Sequence, residues 1–446
     1  MNQTIGRRQF TSRLALGGLG IIPATALGRG RTAPSERINV GVIGLGSRGY
    51  NLLDEFLQNA DAQVTAICDV DDFHYRDRVW GRGLAHGRTP GKQRVQAAYA
   101  KQKSATLAKG LGVYADYREL IAHKGLDAIV VATPDHWHAK CTLDALRAGK
   151  DVYCEKPVTH LFREGQLVYR EVAKQDAVFQ TGSQQRSMEK FQRAVELVIN
   201  GHIGDIQRME IGLPPGYPKA QGDSKNAPIP ETLDYDMWCG PSDKLPYMRA
   251  RHHRWWRGHR AYGGGVLMDW IGHHNDIAHW ALGVDRSGPT KVEAIDWTFP
   301  KTDVYNSPRH YTIRCEYAGG VTSTISSKNP IGTKFICERG WVHASRSKLS
   351  ASDGRLLSPK LILGQKRVFK PVSHTDNFLK CVRSRSACVC PAETGHRSIT
   401  PGHLAYVSHA LQRPLNWDAA REVVVDDDEA DRLLNAVDYR KPWALA

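Results

Sequence analysis

The chain has 446 residues, 41% hydrophobic and 24% charged, with a formal net charge of +15. That length exceeds one ordinary core and calls for two domains plus appendages, and the apolar fraction supports a folded globular protein. Lys and Arg are scattered rather than blocked beside stacking aromatics, which argues against a nucleic-acid partner despite the basic balance.

The N-terminus reads as an address. Arg7-Arg8-Gln9-Phe10 precedes an apolar, Gly-rich run from Leu14 to Ile22, then Ala24-Thr25-Ala26, a small-residue cleavage pattern. The run is too short to span a bilayer, and no later stretch forms a membrane span. It resembles a twin-arginine signal, so residues 1–34 are expected to be signal and linker, cut near Ala26, with the protein exported or periplasmic. Its first partner is then the twin-arginine export machinery, which carries folded proteins. The nine cysteines are an odd number. Cys68, Cys154 and Cys315 fall in apparent strands and read as core residues rather than a disulfide framework.

Residues 35–157 read as a Rossmann domain. The strand Ile38 to Ile43 runs straight into Gly44-Leu45-Gly46-Ser47-Arg48-Gly49 and then the helical run Tyr50 to Leu57. In that setting the glycines give a tight turn, close approach to a pyrophosphate and helix-to-strand packing. A second strand, Val64 to Cys68, ends in Asp69, about twenty residues beyond Gly49, where an acid accepts from both ribose hydroxyls and repels a 2'-phosphate. NAD is therefore favoured, with Arg76 and Arg78 keeping NADP possible. The polar stretch Arg76 to Gly110 reads as an inserted helix and loop with a solvated face.

The α/β rhythm resumes with the helix Tyr117 to His123 and the strand Ala128 to Ala132. Thr133 and Pro134, at its carboxyl edge, can run along the cofactor. His138 opens the next helix, where its ring could reach the phosphates or Lys156, or merely cap. After Gly149 the run Lys150 to Pro157, KDVYCEKP, is a buried strand ending in Glu155 and Lys156, at the edge where doubly wound sheets bind ligands. Pro157 ends the ladder and allows a cis bond to Lys156.

Residues 158–446 read as an α+β domain with a mostly antiparallel sheet. Helices at Leu161 to Gln175 and Glu189 to Asn200, with a strand at Val178 to Thr181 between them, precede strands at Ile206 to Gly212, Val292 to Phe299, Tyr311 to Tyr317, Val321 to Ser327 and Lys334 to Glu338. The segment from Pro214 to Arg260 is irregular and rich in Pro, Gly, Trp and Arg. Gly263-Gly264-Gly265 then opens the helix Val266 to Leu282. At about 100° per residue, Asp269, His273, Asp276 and Trp280 share a narrow arc, while Leu267, Ile271, His274, Ala278 and Leu282 lie opposite. Asp269 and His273, one turn apart, can meet, so that the carboxylate orients the imidazole as a base. His274 reads as a core histidine. No spacing involving His252, His253 and this pair fits a ligand set, so no metal is expected.

The glycine loop, the TPDHWH block at Thr133 to His138, EKP at Glu155 to Pro157 and GGGVLMDWIGHHND at Gly263 to Asp276 together resemble the Gfo/Idh/MocA oxidoreductases. PAETGHRS at Pro391 to Ser398 and LNWD at Leu415 to Asp418 are similar to an exported branch of it. The resemblance implies a catalytic set of Lys156, Asp269 and His273, a tightly held nicotinamide, and hydride chemistry on a sugar, polyol or glycoside hydroxyl by a homo-oligomer, dimer or tetramer. In the loop Arg249 to Arg260, Trp255 and Trp256 can face a sugar ring, and Arg254 or Arg257 can hold its hydroxyls or an acidic substituent; a clamp between subunits uses the same residue types. Two rival readings stay open: a redox-neutral enzyme that cleaves or epimerises through transient oxidation, and a non-catalytic exported binding protein.

Overall fold

A computed structural model describes residues 36–76, 83–102, 104–361 and 364–445. The signal residues Arg7, Arg8 and Ala26, and Arg78 as well, lie outside the described residues. The first sheet is wholly parallel. Its strands β1 (Ile38–Ile43), β2 (Ala62–Cys68), β5 (Gly112–Tyr114), β6 (Ala128–Val131), β7 (Asp151–Cys154) and β8 (Phe179–Thr181) lie in the order β5-β2-β1-β6-β7-β8. β1, β6 and β7 are buried along their whole length, because helices cover both faces of a parallel sheet and alternation is lost. Strand order reverses between β1 and β6, which opens a crevice at their carboxyl ends.

Helix α1 (Ser47–Gln58) presses Leu52, Leu53 and Phe56, all fully buried, onto this sheet, each worth about 1.5–3 kcal/mol. The polar insertion is less solvated than its composition predicts. It holds a two-stranded ribbon, β3 (His74–Tyr75) and β4 (Ala85–His86), and helix α2 (Arg88–Lys101), which buries Val95 and Tyr99, the Tyr99 hydroxyl donating to Val64 O (2.8 Å). A short helix, α3 (Ala105–Lys109), follows, and α4 (Tyr117–Ile121) and α5 (His138–Arg147) complete the early crossovers.

The first sheet runs past the boundary at 157 that the periodicity suggested. After α6 (Phe162–Lys174), β8 pairs in parallel with β7, so the Rossmann sheet ends at Thr181. Helix α7 (Glu189–Ile199) then leads into the second sheet. Strand β9 (Ile206–Gly212), short helix α8 (Tyr235–Cys239) and long helix α9 (Gly265–Leu282) precede β10 (Lys291–Thr298), β11 (His310–Glu316), β12 (Thr322–Ser326), β13 (Gly332–Cys337), β14 (Gly340–Ala344) and β15 (Leu349–Ala351). Helices α10 (His374–Ser384) and α11 (Ala392–Leu411) then lead to β16 (Leu415–Asp418), β17 (Val423–Val424) and α12 (Asp428–Asn435). The sheet order is β15-β14-β13-β9-β12-β11-β10-β16-β17, and only β9 with β12 is parallel. LNWD is thus a strand of this sheet, since Leu415 and Asn416 pair with Val292 and Lys291.

Helix α9 lies between the two units and is buried on nearly every side, ending in Gly283 at φ 76°, the left-handed cap that only glycine adopts without strain. Its His274 is a core histidine, as expected: Nδ1 bonds Gly212 O (2.6 Å), and burial pushes the ring down to about 4. Ser183 Oγ donates to Gly272 O (2.9 Å), fixing the helix against the end of the first sheet. Asp276, on the arc of Asp269 and His273, does not join them. It takes a bidentate pair from buried Arg186 (2.7 and 2.8 Å).

Candidate active site

The cofactor side is built by main chain. Gly44 turns at φ 90°, and a Cβ there would strike the Ala132 carbonyl carbon at 2.7 Å; a Cβ on Gly49 would strike Gly44 O at 1.8 Å. A Cβ on Gly46 would meet nothing within 4 Å, so the loop leaves open space above the start of α1, whose N-terminus has no side-chain cap. Asp69 Oδ2 accepts from Leu45 N (2.6 Å) and Oδ1 from Asp71 N (2.9 Å), so the acid at the end of β2 shapes the glycine loop and keeps further lone pairs for a ribose. Arg48 Nε bonds Glu155 Oε1 (2.7 Å), and Gln184 Nε2 reaches the same oxygen (3.0 Å). Burial would raise the Glu155 carboxyl, but the Arg48 and Lys156 cations outweigh it and hold it low. Ser47, Thr133 and Pro134 line the same cavity of about 510 Å³, and Thr133 Oγ1 is buried without a partner. The open cradle, the uncapped helix start and the unpartnered hydroxyl fit a dinucleotide.

His138 reaches neither Lys156 nor a helix-capping position. Its Nδ1 bonds Pro157 O (2.7 Å) and its Nε2 bonds Thr133 O (3.0 Å), tying the carboxyl ends of β7 and β6 together. The rest of the TPDHWH block fastens the domains. His136 Nε2 and Trp137 Nε1 both bond Trp238 O (2.9 Å each).

Lys156 and Asp269 meet where the two units join. The Lys156 ammonium donates to Asp269 Oδ1 and to the Asp269 carbonyl oxygen (3.2 Å), and the Lys156–Pro157 bond is cis. Arg257 Nη2 lies 3.1 Å from the same Asp269 oxygen and 3.8 Å from Asp135 Oδ1. Burial acts to raise Asp269, yet Arg257, Lys156 and Arg254 together hold it far below the usual carboxylate range. This corrects the sequence reading in one respect: Asp269 does not orient His273. Its carboxylate belongs to Lys156 and Arg257, and His273 Nδ1 is buried with no hydrogen-bond partner. Burial, and then the cations of Lys156 and Arg346, push the His273 ring well below its ordinary value, so it is neutral near pH 7.

The irregular segment forms the roof. Its main chain is stitched to the strand-end after β2, Asp72 N donating to Thr232 O (2.8 Å) and Asp234 N to Val70 O (3.1 Å). Arg254, Trp256 and Arg257 line the cavity, with Arg257 over the Trp256 ring at 4.3 Å. Trp255 turns away and packs edge-on against Tyr217, so of the two tryptophans expected to face a sugar ring only Trp256 lines the cavity. Two residues before Trp255, His253, at φ 47°, places Nε2 3.1 Å from Asp71 Oδ2, while His74 Nδ1 lies 3.4 Å from that oxygen. Asp71, His74 and His253 are close enough to suggest a metal site. Their geometry opposes it: the two rings stack at 3.5 Å and 17°, and near-parallel planes cannot both contain one ion. The trio instead pins the roof to the Rossmann unit.

Among the cavity residues that went unread in the sequence are Gln184, Trp270 and Arg346. Trp270 could have been found, since it follows Asp269 on α9. Arg346 carries no local signal; it sits in the turn between β14 and β15 and reaches the cavity only through the tertiary fold.

Two family models match the chain. One, described as the oxidoreductase family C-terminal alpha/beta domain, covers residues 217–445, and one, described as the oxidoreductase family NAD-binding Rossmann fold, covers residues 84–183. The chain is 30% identical over 130 residues to an alpha-N-acetylgalactosaminidase of Shewanella oneidensis, covering 29% of this chain and 25% of that protein. It is 31% identical over 170 residues to inositol 2-dehydrogenase 1 of Saccharopolyspora erythraea, covering 38% and 43%. It thus spans a quarter to less than half the length of these relatives. Among solved structures, aldose-aldose oxidoreductase from Caulobacter crescentus superposes with a TM-score of 0.60 at 17% identity, covering 85% of this chain and 99% of that one. WlbA dehydrogenase from Bordetella pertussis, in complex with NADH and UDP-GlcNAcA, does so with a TM-score of 0.60 at 17% identity, covering 86% and 99%. With one family model spanning more than half of its residues and a second matching the Rossmann unit, this chain belongs to the Gfo/Idh/MocA oxidoreductase family.

Proposed function

We propose that the protein is an NAD-dependent oxidoreductase acting on a hydroxyl of a sugar, polyol or glycoside. The observation that carries this reading is the meeting of Lys156 and Asp269 from separate domains, one helical turn from a neutral His273 with a bare nitrogen, in the cavity that the glycine loop opens. A nicotinamide held at the carboxyl edge of β1 and β6 supplies the hydride acceptor. His273 takes the hydroxyl proton, and the Lys156 ammonium stabilises the oxygen as negative charge develops on it. Asp269 aims that ammonium, a different task from the one its helical spacing suggested. Asp69 favours NAD over NADP. Purified protein mixed with a panel of sugars should show a lasting change in nicotinamide absorbance with at least one of them. No change with any sugar, in protein shown to hold the cofactor, would rule the reading out.

A second reading is favoured by the glycosidase among the relatives: the same groups oxidise a ring carbon, the acidified neighbouring C–H is lost, a glycosidic bond breaks and the hydride returns. Released aglycone without net absorbance change distinguishes it. The protein is further proposed to be an exported homo-oligomer. Cell fractionation of the full chain against an Arg7→Lys, Arg8→Lys variant tests export, and sedimentation tests assembly.

A further inference from the structure

We infer that Arg346 and Trp270 form a subsite for an anionic group on the substrate, a carboxylate or sulfate carried close to the carbon that is oxidised. The inference rests on the oxidoreductase reading above and narrows its substrate class. Arg346 is held as a receptor would be. With the Gln185 carboxamide oriented to donate to His273 O (3.1 Å), its oxygen accepts from Arg346 Nε (3.1 Å). The guanidinium lies 4.9 Å over the Trp270 ring, and that ring stands edge-on to His273 at 5.7 Å. The residue lines the cavity and only its Nε is occupied, so the paired Nη atoms, the fork that matches a carboxylate or sulfate, have no acceptor among the described residues.

Charge in the neighbourhood points the same way. At this end of the cavity Lys156, Arg254, Arg257 and Arg346 stand against Asp135 and Asp269. Lys156 and Arg257 both lean on Asp269, whereas Arg346 forms no ion pair among the described residues. Partial burial pushes Arg346 below its ordinary value and Arg48 adds to this, while Asp269 and Glu155 act the other way without forming an ion pair with it, so it has no close counter-charge among the described residues. A substrate anion supplies one. It also removes part of the field that keeps His273 a weak base, because Arg346 joins Lys156, and after them His274, in lowering that ring against a smaller opposing effect of Asp269. Binding and proton transfer then both gain from the same contact.

The test uses cofactor-loaded protein and matched pairs of probes: glucose with glucuronate, galactose with galacturonate, and N-acetylglucosamine with its 6-sulfate. The expected result is that kcat/KM favours the anionic member of a pair at least tenfold, and that Arg346→Gln abolishes this ratio, costing the anionic member at least tenfold more than the neutral one. Equal use of both members, or an Arg346→Gln loss shared by both, overturns the subsite but not the oxidoreductase reading. If no probe alters the nicotinamide signal, calorimetry with glucuronate and with inorganic sulfate still decides. Binding weakened at least tenfold by Arg346→Gln supports the subsite although the catalytic reading has failed, and unchanged or undetectable binding to the wild type overturns it.

Discussion

The two walls of the cavity are built by different means. On the Rossmann side, shape comes from main chain: a left-handed Gly44, a Gly46 with empty space beside it, and an Asp69 anchored by two backbone N–H groups. On the other side, shape comes from charge: Lys156 and Arg257 on one Asp269 oxygen, Arg257 on Trp256, Arg346 on Trp270. A wall of backbone is fixed before any ligand arrives and suits a cofactor common to many enzymes. A wall of long side chains can be respecified one residue at a time, which is how one fold serves different substrates.

The largest effects should come from the groups that join the walls. His273→Ala and Lys156→Ala should each lower turnover by about a hundredfold or more with cofactor still bound, the scale of a lost general base or charge stabiliser. Because Asp269 holds Lys156 and not His273, Asp269→Asn and Lys156→Ala should be strongly non-additive in a double-mutant cycle, whereas Asp269→Asn with His273→Ala should come closer to additivity. The reverse pattern would restore the tether that the helical spacing suggested. Next in size, Asp69→Ala should weaken NAD by about 1.5–3 kcal/mol and shift preference toward NADP, as calorimetry on refolded apoprotein can measure. Tighter NADP binding by the wild type would overturn the cofactor assignment.

Smaller effects separate two neighbours in the roof. Trp256→Ala removes the ring under Arg257 and should lower kcat/KM by a few-fold to about thirtyfold, the range of a desolvated cation–π contact. Trp255→Ala should instead lower the melting temperature with little change in kinetics, since its ring fills the space beside Tyr217. Kinetic loss at Trp255 alone would mean that the roof closes differently in solution.

What the sequence disclosed follows the same division. The glycine loop, Asp69 and the Glu155-Lys156-Pro157 strand end were legible because each is a local chain event: a strand, a turn, a stop. Helical spacing correctly sent His274 into the core. It failed for Asp269 because angular proximity cannot weigh a neighbouring imidazole against two cations from other elements, and it grouped Asp276 with the site because Arg186 was invisible to it. Trp255 and Trp256 are adjacent and chemically alike, and only the loop's path decides which meets the cavity. Arg346 had no local pattern, since its partners Gln185 and Trp270 come from distant segments. The break after residue 157 was placed where the chemistry ended, although the parallel ladder continues to Thr181.

The smallest expected effect concerns the seam on the Rossmann side. His138 lies between two backbone carbonyl oxygens, which only accept, so a ring that bonds both donates from both nitrogens as an imidazolium. His136 is also flanked by two carbonyls, but one contact is long at 3.2 Å, and burial pushes it down to about 4 as a neutral ring served by its shorter bond. For His138 burial again acts downward, but Cys154, Asp135 and the Pro157 carbonyl outweigh it and raise the ring to about 9. A folded-state value above the ordinary 6.5 gives stability that is fully present below about pH 6.5 and is lost as pH rises through about 9. Wild-type protein should therefore lose melting temperature between pH 7 and pH 10 faster than His138→Gln, whose amide can serve only one of the two carbonyls well and does not titrate. Parallel melting curves across that range would mean that the ring is neutral and that one of the two carbonyls has no donor.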